Sequence, residues 1–264
     1  MELNATKYHY HPESVIDRTP SSKSRSISIP VNLRFANNGL KKKKLLPNSC
    51  KGKVLKVMHL NGGINHRHKC FQNAQIIIKN FTEDASMVDE DGYSTYCSSL
   101  LVGSETNFFQ GLTPKAILYS AKVVSNQKAD NQNIEVKIVK ALNWAVSLDV
   151  DLVLFTFGLN VYSPTVGQSI NKAIKNNMTV IASAGSTDKL YPNFPSIMPS
   201  VWCVSTMKKN NQVMPGEYNN VLVDVYVEAS SIVGAFHNNY SIIGGSNPAA
   251  ALFCGYIGSS LSLK

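Results

Sequence analysis

Nucleophilic chemistry by side chains needs an ionisable nucleophile, a base within hydrogen-bond reach, a group that orients the base, and donors for the developing oxyanion. Ser246 is one candidate nucleophile. It lies in Gly245-Ser246-Asn247-Pro248, at the start of a helical stretch, where a serine or asparagine beside proline is equally an ordinary N-cap. Bases are scarce. Of the six histidines, His59 falls in a predicted strand, His66 and His68 in the loop after it, and His237 in a late turn, none of them in a catalytic motif. Two more polar segments end or open predicted elements, Leu60-Asn61-Gly62-Gly63-Ile64 and Asp91-Gly92-Tyr93-Ser94-Thr95. The amide of Asn61 can hydrogen-bond but carries no charge. The phenol of Tyr93, with a reference pKa of ~10, cannot serve as a neutral-pH base as imidazole does. The five cysteines (Cys50, Cys70, Cys97, Cys203, Cys254) are widely spaced, without a CxxC pair or a metal-ligand spacing, and an odd number precludes complete intramolecular pairing.

The elements that must position these residues follow from apolar periodicity. Val150 to Phe157 and Met178 to Ala184 are apolar runs of strand length, as expected of strands buried on both faces. Between them Ser163-Pro164 offers an N-cap hydroxyl with proline at the first helical position, and Val166, Ile170, Ala173 and Ile174 mark one helix face. Two such strands joined through a helix form a right-handed parallel crossover. Val54 to Leu60 and Gln75 to Phe81 read as further strands, and Ile134 to Leu148 as an amphipathic helix. Glu83 to Asp91 is an acidic loop. The chain is predicted to be α/β.

Charge is unevenly placed. Residues 1–53 hold eleven lysines and arginines, including Lys41 to Lys44, against Glu2, Glu13 and Asp17, so +8 of the chain's net +9 resides there. A uniformly basic nucleic-acid-binding domain is therefore excluded. Residues 1–50 form a polar, basic leader with four prolines, expected to be disordered, and 51–264 the folded domain. No apolar h-region follows Met1, and the long uncharged run from Ala229 is broken by His, Asn, Gly and Pro, which argues against a membrane span. Neither the compartment nor the oligomeric state is legible.

The motifs also resemble those of the subtilisin-like serine peptidases, in order and spacing, from Val54 to Gly255. Leu60-Asn61-Gly62-Gly63 lies over that family's Ile-Asp-Ser/Thr-Gly, and Asp91-Gly92-Tyr93-Ser94-Thr95-Tyr96 over its Asp-Gly-His-Gly-Thr-His. Thr156-Phe157-Gly158 is similar to its groove-lining Ser-Leu-Gly, and Ala184-Gly185-Ser186 to the Ala-Gly-Asn whose amide helps form the oxyanion hole. Gly245-Ser246-Asn247-Pro248-Ala249-Ala250-Ala251-Leu252-Phe253-Cys254-Gly255 lies without gaps over Gly-Thr-Ser-Met-Ala-Ser-Pro-His-Val-Ala-Gly. In that register the family's Asp, His, Ser and oxyanion Asn correspond to Asn61, Tyr93, Asn247 and Ser186. A frame moved by one would make Ser246 the nucleophile and lose the match at Gly255.

The resemblance implies a three-layer fold with a mostly parallel central sheet flanked by helices, short at its C-terminal end. It also implies a site whose triad is replaced. Triad members act as a unit, so losing the nucleophile alone costs nearly as much as losing all three. The expectation is a pseudoprotease that binds a peptide or protein segment along Thr156, Phe157 and Gly158. Two alternatives stay open: residual hydrolysis through Ser246 with a non-standard base, and a truncated or decaying copy. No cofactor is expected from the residues. Calcium is possible by the resemblance alone, without identifiable ligands, and family members are often secretory.

Overall fold

Strands that bury both faces need cover on each side, and strict alternation then sends neighbouring residues to opposite layers. The computed structural model describes residues 5–6, 14–16, 31–35, 54–105, 108–125, 132–185, 192–218 and 222–262. The leader supplies β1 (Ala5–Thr6), β2 (Ser14–Ile16) and β3 (Leu33–Phe35). The body continues with β4 (Lys56–Asn61), β5 (Gln75–Asn80), α1 (Tyr93–Val102), the short pair β6 (Ser104–Glu105) and β7 (Phe109–Gln110), β8 (Ile117–Lys122), α2 (Ile134–Leu148), β9 (Leu152–Phe155), β10 (Gly158–Leu159) and α3 (Pro164–Lys175). It ends with β11 (Thr179–Ser183), β12 (Trp202–Met207), β13 (Val225–Glu228), the hairpin β14 (Ile232–Phe236) and β15 (Asn239–Ile243), and α4 (Ser246–Ser262).

Eight strands form the central sheet in the order β3-β13-β12-β11-β9-β4-β8-β5, parallel throughout except for β3 at one edge. Val57, Leu118, Leu152 and Leu154 point to the layer that holds α1 and α4, where Tyr96, Leu100, Leu252 and Phe253 are buried. Met58, Leu60, Tyr119, Val153 and Phe155 point to the other layer, against Ile138, Leu142, Val166 and Ile170 of α2 and α3. This is the three-layer arrangement expected from the sequence. The crossover reads as anticipated: the Ser163 hydroxyl accepts the Val166 N–H at 3.3 Å, with proline at the start of α3. Residues 249–254 of α4 are buried on every side, which suits an apolar helix lacking a polar stripe.

Composition alone led to disorder being expected across residues 1–50, yet three of its segments pair with the body. Leu33–Phe35 extends the central sheet antiparallel to β13, Ser14–Ile16 joins β15, and Ala5–Thr6 pairs with β10. The rest of the leader, including Lys41 to Lys44, lies outside the described residues. No helix among the described residues is long and apolar enough to cross a membrane.

Candidate functional site

In an open parallel sheet, crevices form beyond the carboxyl ends of the strands, where chains depart to opposite layers. Here such a cleft of ≈ 380 Å³, its open mouth included, is lined by Asn61, Gly62, Asp91, Tyr93, Ser94, Val124, Thr156, Phe157 and Asn247. Asn61 ends β4, Tyr93 opens α1, Thr156 and Phe157 follow β9, and Asn247 lies in the first turn of α4. The fold therefore gathers the three positions singled out by the motif comparison, together with two of the three groove residues. Ser186 lies outside the described residues, which stop at Gly185 on that side of the loop.

Two of the three side chains, Asn61 and Tyr93, have environments that explain them without proton transfer. Asn61 is 1% exposed; its Nδ2 donates to Ser120 Oγ at 3.0 Å and its Oδ1 accepts the Gly63 N–H at 2.9 Å. Its amide thus uses a donor and an acceptor, which a carboxylate could not do in one orientation. Tyr93 packs edge-on against Phe236, with ring centroids 5.6 Å apart. Burial, with Asp91 nearby, pushes its phenol up to about 12, so it keeps its proton at any physiological pH. Asn247 Oδ1 is buried and has no hydrogen-bond partner among the described groups. The second tyrosine of the motif, Tyr96, is core: its hydroxyl reaches Ile232 O at 2.5 Å and Ile243 O at 3.1 Å, tying α1 to the β14–β15 hairpin.

Ser246 does not line the cleft. Its N–H donates to Glu217 Oε1 at 3.1 Å, and Oε2 of that carboxyl is buried without a partner among the described groups. Glu217 is the non-standard base that the alternative reading would need. Burial raises its carboxyl to about 8, however, so at neutral pH it carries a proton instead of accepting one.

Two features escaped the sequence reading. His59 bridges two hydroxyls, with Nδ1 3.0 Å from Ser98 Oγ and Nε2 2.8 Å from Thr156 Oγ1 at the cleft. A hydroxyl and an imidazole therefore do meet at the site. Burial depresses this imidazole to about 3, and its two ring nitrogens face hydroxyls, with no carboxylate to stabilise an imidazolium. His59 and the two hydroxyls form a neutral network that ties β4 to α1 and to the segment after β9. The other feature is a carboxyl pair. Asp89, 3% exposed, accepts the Thr95 N–H at 2.6 Å and hydrogen-bonds Asp91, which lines the cleft. Burial first, and then the charge on Asp91, raise Asp89 to about 8. The sequence offered only an acidic loop at this place.

Gly158 begins β10, and a Cβ there would stand 2.3 Å from Asn193 Cβ, so glycine is required at that position. One edge of β10 meets Phe194, with Leu159 N–H donating to Phe194 O at 2.7 Å, and the other edge carries β1. No group of three or more His, Cys, Asp or Glu suited to a metal occurs among the described residues.

No family model matches the chain. It is 25% identical over 214 residues to the major intracellular serine protease of Bacillus subtilis (strain 168), covering 76% of this chain and 66% of that protein. It is 23% identical over 211 residues to the minor extracellular protease Epr of the same organism, covering 76% of this chain and 32% of that one. The chain thus spans about two thirds and about one third of these relatives. Among solved structures, the prenylagaramide maturation protease PagA superposes with a TM-score of 0.69 at 18% identity, over 79% of this chain and 76% of that one. The PatG macrocyclase in complex with peptide gives 0.67 at 15%, over 79% and 76%. The chain thus has the subtilisin fold and is similar in sequence to subtilisin-family serine proteases.

Proposed function

We propose that the protein is a pseudoprotease that holds extended peptide segments along β10 without hydrolysing them. In this reading Asn61, Tyr93 and Asn247 stand where a triad would stand. None can relay a proton: two are amides, and the third is a phenol that burial keeps protonated. The observation that carries the binding half is the placement of β1. Ala5 pairs with Leu159 and Thr6 with Gly158, antiparallel, so the groove edge already carries a main chain as an added strand. The resident leader segment runs toward Phe157 and the cleft, because the two strands are antiparallel and Phe157 precedes Gly158.

The test uses the full chain and a labelled synthetic peptide copying residues 3–10, followed by fluorescence anisotropy. Replacing Ala5 and Thr6 together by proline removes both backbone donors of the resident strand. The Ala5→Pro/Thr6→Pro chain is expected to bind the peptide tighter than the wild type does. No binding to either chain would overturn the groove reading.

A further inference from the structure

The central sheet has two edges, and the chain treats them differently. One is closed by β3, which pairs antiparallel with β13, while the far edge of β5 meets no strand among the described residues. The direction of its main chain follows from the register. Phe81 N–H donates to Lys122 O at 2.9 Å and Asn80 lies opposite Lys122, so the odd-numbered residues of β5 turn their N–H and C=O groups to β8. Those of Ile76 and Ile78 therefore point outward. An edge of this kind is a template for another strand unless charge, proline or a bulge guards it. Gln75-Ile76-Ile77-Ile78-Lys79-Asn80 holds no proline and pairs with β8 residue for residue, without a bulge. Its single charge is drawn away from the edge: Lys79 Nζ sits 5.2 Å from the centroids of both the Phe81 and the Trp144 rings, on the α2 layer. Ile77, on that same face, is left 46% exposed.

We propose that this edge is a self-association surface, at which β5 of one copy pairs antiparallel with β5 of a second copy about a two-fold axis. The edge is self-complementary in one register. With Ile77 opposite its own symmetry mate, Ile76 lies opposite Ile78, and the two exchange both of their outward main-chain hydrogen bonds. The two Ile77 side chains then meet across the axis as a close, non-hydrogen-bonded pair and leave water together. Charge complementarity favours the same choice. The register sets Lys79 opposite Gln75, whose amide oxygen accepts from an ammonium, and keeps the two lysines at opposite ends of the contact. A parallel, in-register partner would set Lys79 against Lys79. The neighbouring antiparallel registers that preserve each face would set Ile77 against Lys79 or Gln75. A strand of six residues on each side makes a small contact, so the dimer is weak and concentration-dependent.

Sedimentation velocity of the full chain tests this, with a dimer expected to grow with concentration up to ~100 µM, where a micromolar contact is largely filled. Ile77→Lys and Ile77→Glu each place like charges across the axis, and each chain is expected to sediment as a monomer. Mixed in equal amounts, the two should form a dimer again, because a lysine then faces a glutamate. Gln75→Glu gives each Lys79 an opposite charge and should tighten the dimer about two- to thirty-fold, the range of two cross-strand pairs of opposite charge. A wild type that stays monomeric at ~100 µM would overturn the proposal. A dimer that neither Ile77 variant weakens would overturn it as well, by placing the contact elsewhere, and a mixture that does not pair again would overturn the two-fold register. Gln75 is exposed at the start of the strand, so its variant reads the interface independently of how well the Ile77 variants fold.

Discussion

Tyr96 gives the sharpest test of how the motif positions have been absorbed into the core. Its ring is fully buried, and its hydroxyl serves two strand carbonyls, Ile232 O and Ile243 O, on the hairpin that packs against α1. Tyr96→Phe keeps the ring and deletes the donor. Leaving buried carbonyls short of a partner costs about 1–3 kcal/mol. For a domain of this size that corresponds to a melting-point drop of about 2–10 °C by circular dichroism. Tyr96→His should cost more, because a void is added to the lost hydroxyl. The opposite wall supplies a control. A Cβ built on Gly234 would stand 2.5 Å from Tyr96 Cε2, so Gly234→Ala is expected to destabilise the wild type by about 1–3 kcal/mol through overpacking. In a Tyr96→Ala background that cost should largely vanish, because the new methyl enters the space left by the ring. The double-mutant cycle should then show coupling well beyond the ~0.3–0.5 kcal/mol scatter of independent sites. Additivity within that scatter, or a Tyr96→Phe chain as stable as wild type, would refute the reasoning that a tyrosine here is structural.

Three more outcomes follow from the same geometry. Glu217, raised from 4.5 to about 8 by burial, binds its proton more tightly in the folded state, so its stabilising contribution is complete below about pH 4.5 and is lost as pH rises to about 8; Glu217→Gln should match wild type in acid and become the more stable chain across that window in a pH series of denaturant melts. Lys122 is 1% exposed and donates to Asp84 Oδ2 at 2.7 Å and Ser86 O at 2.6 Å, so Asp84→Asn should cost about 1–3 kcal/mol at neutral pH in urea unfolding by leaving a buried ammonium with neutral acceptors only. The hydrogen bond from Lys122 holds the Asp84 carboxyl below its ordinary value, so wild type should lose that difference as it is acidified. A fluorophosphonate probe should label neither Ser246, engaged by a protonated Glu217, nor Thr156, whose imidazole partner is too weak a base; mass-spectrometric labelling at either would contradict both assignments.

The central architecture was legible because its signals are local. Apolar runs of strand length, a Ser-Pro helix start and the amphipathic stretch from Ile134 to Leu148 each specify one element, and the order of elements specifies the crossover. The gathering of Asn61, Tyr93, Thr156 and Asn247 in one cleft was anticipated only through motif resemblance, since no periodicity links residues so far apart in the chain. His59 was legible as a strand residue, but its two hydroxyl partners come from α1 and from the segment after β9, contacts that only the assembled layers create. The Asp89–Asp91 pair looked like solvated loop charge because burial of Asp89 depends on how the loop folds against the start of α1. The leader strands were missed for a related reason. Ala5–Thr6, Ser14–Ile16 and Leu33–Phe35 are too short to show alternation, and each is defined by the edge it meets.

Peptide hydrolysis itself tests the central claim most directly. The purified full chain, incubated with a flexible peptide library and read by mass spectrometry for new termini, is expected to cut nothing above the level of an Asn247→Ala chain. New termini that appear with the wild type and disappear with Asn247→Ala would mean that the cleft is a working active site.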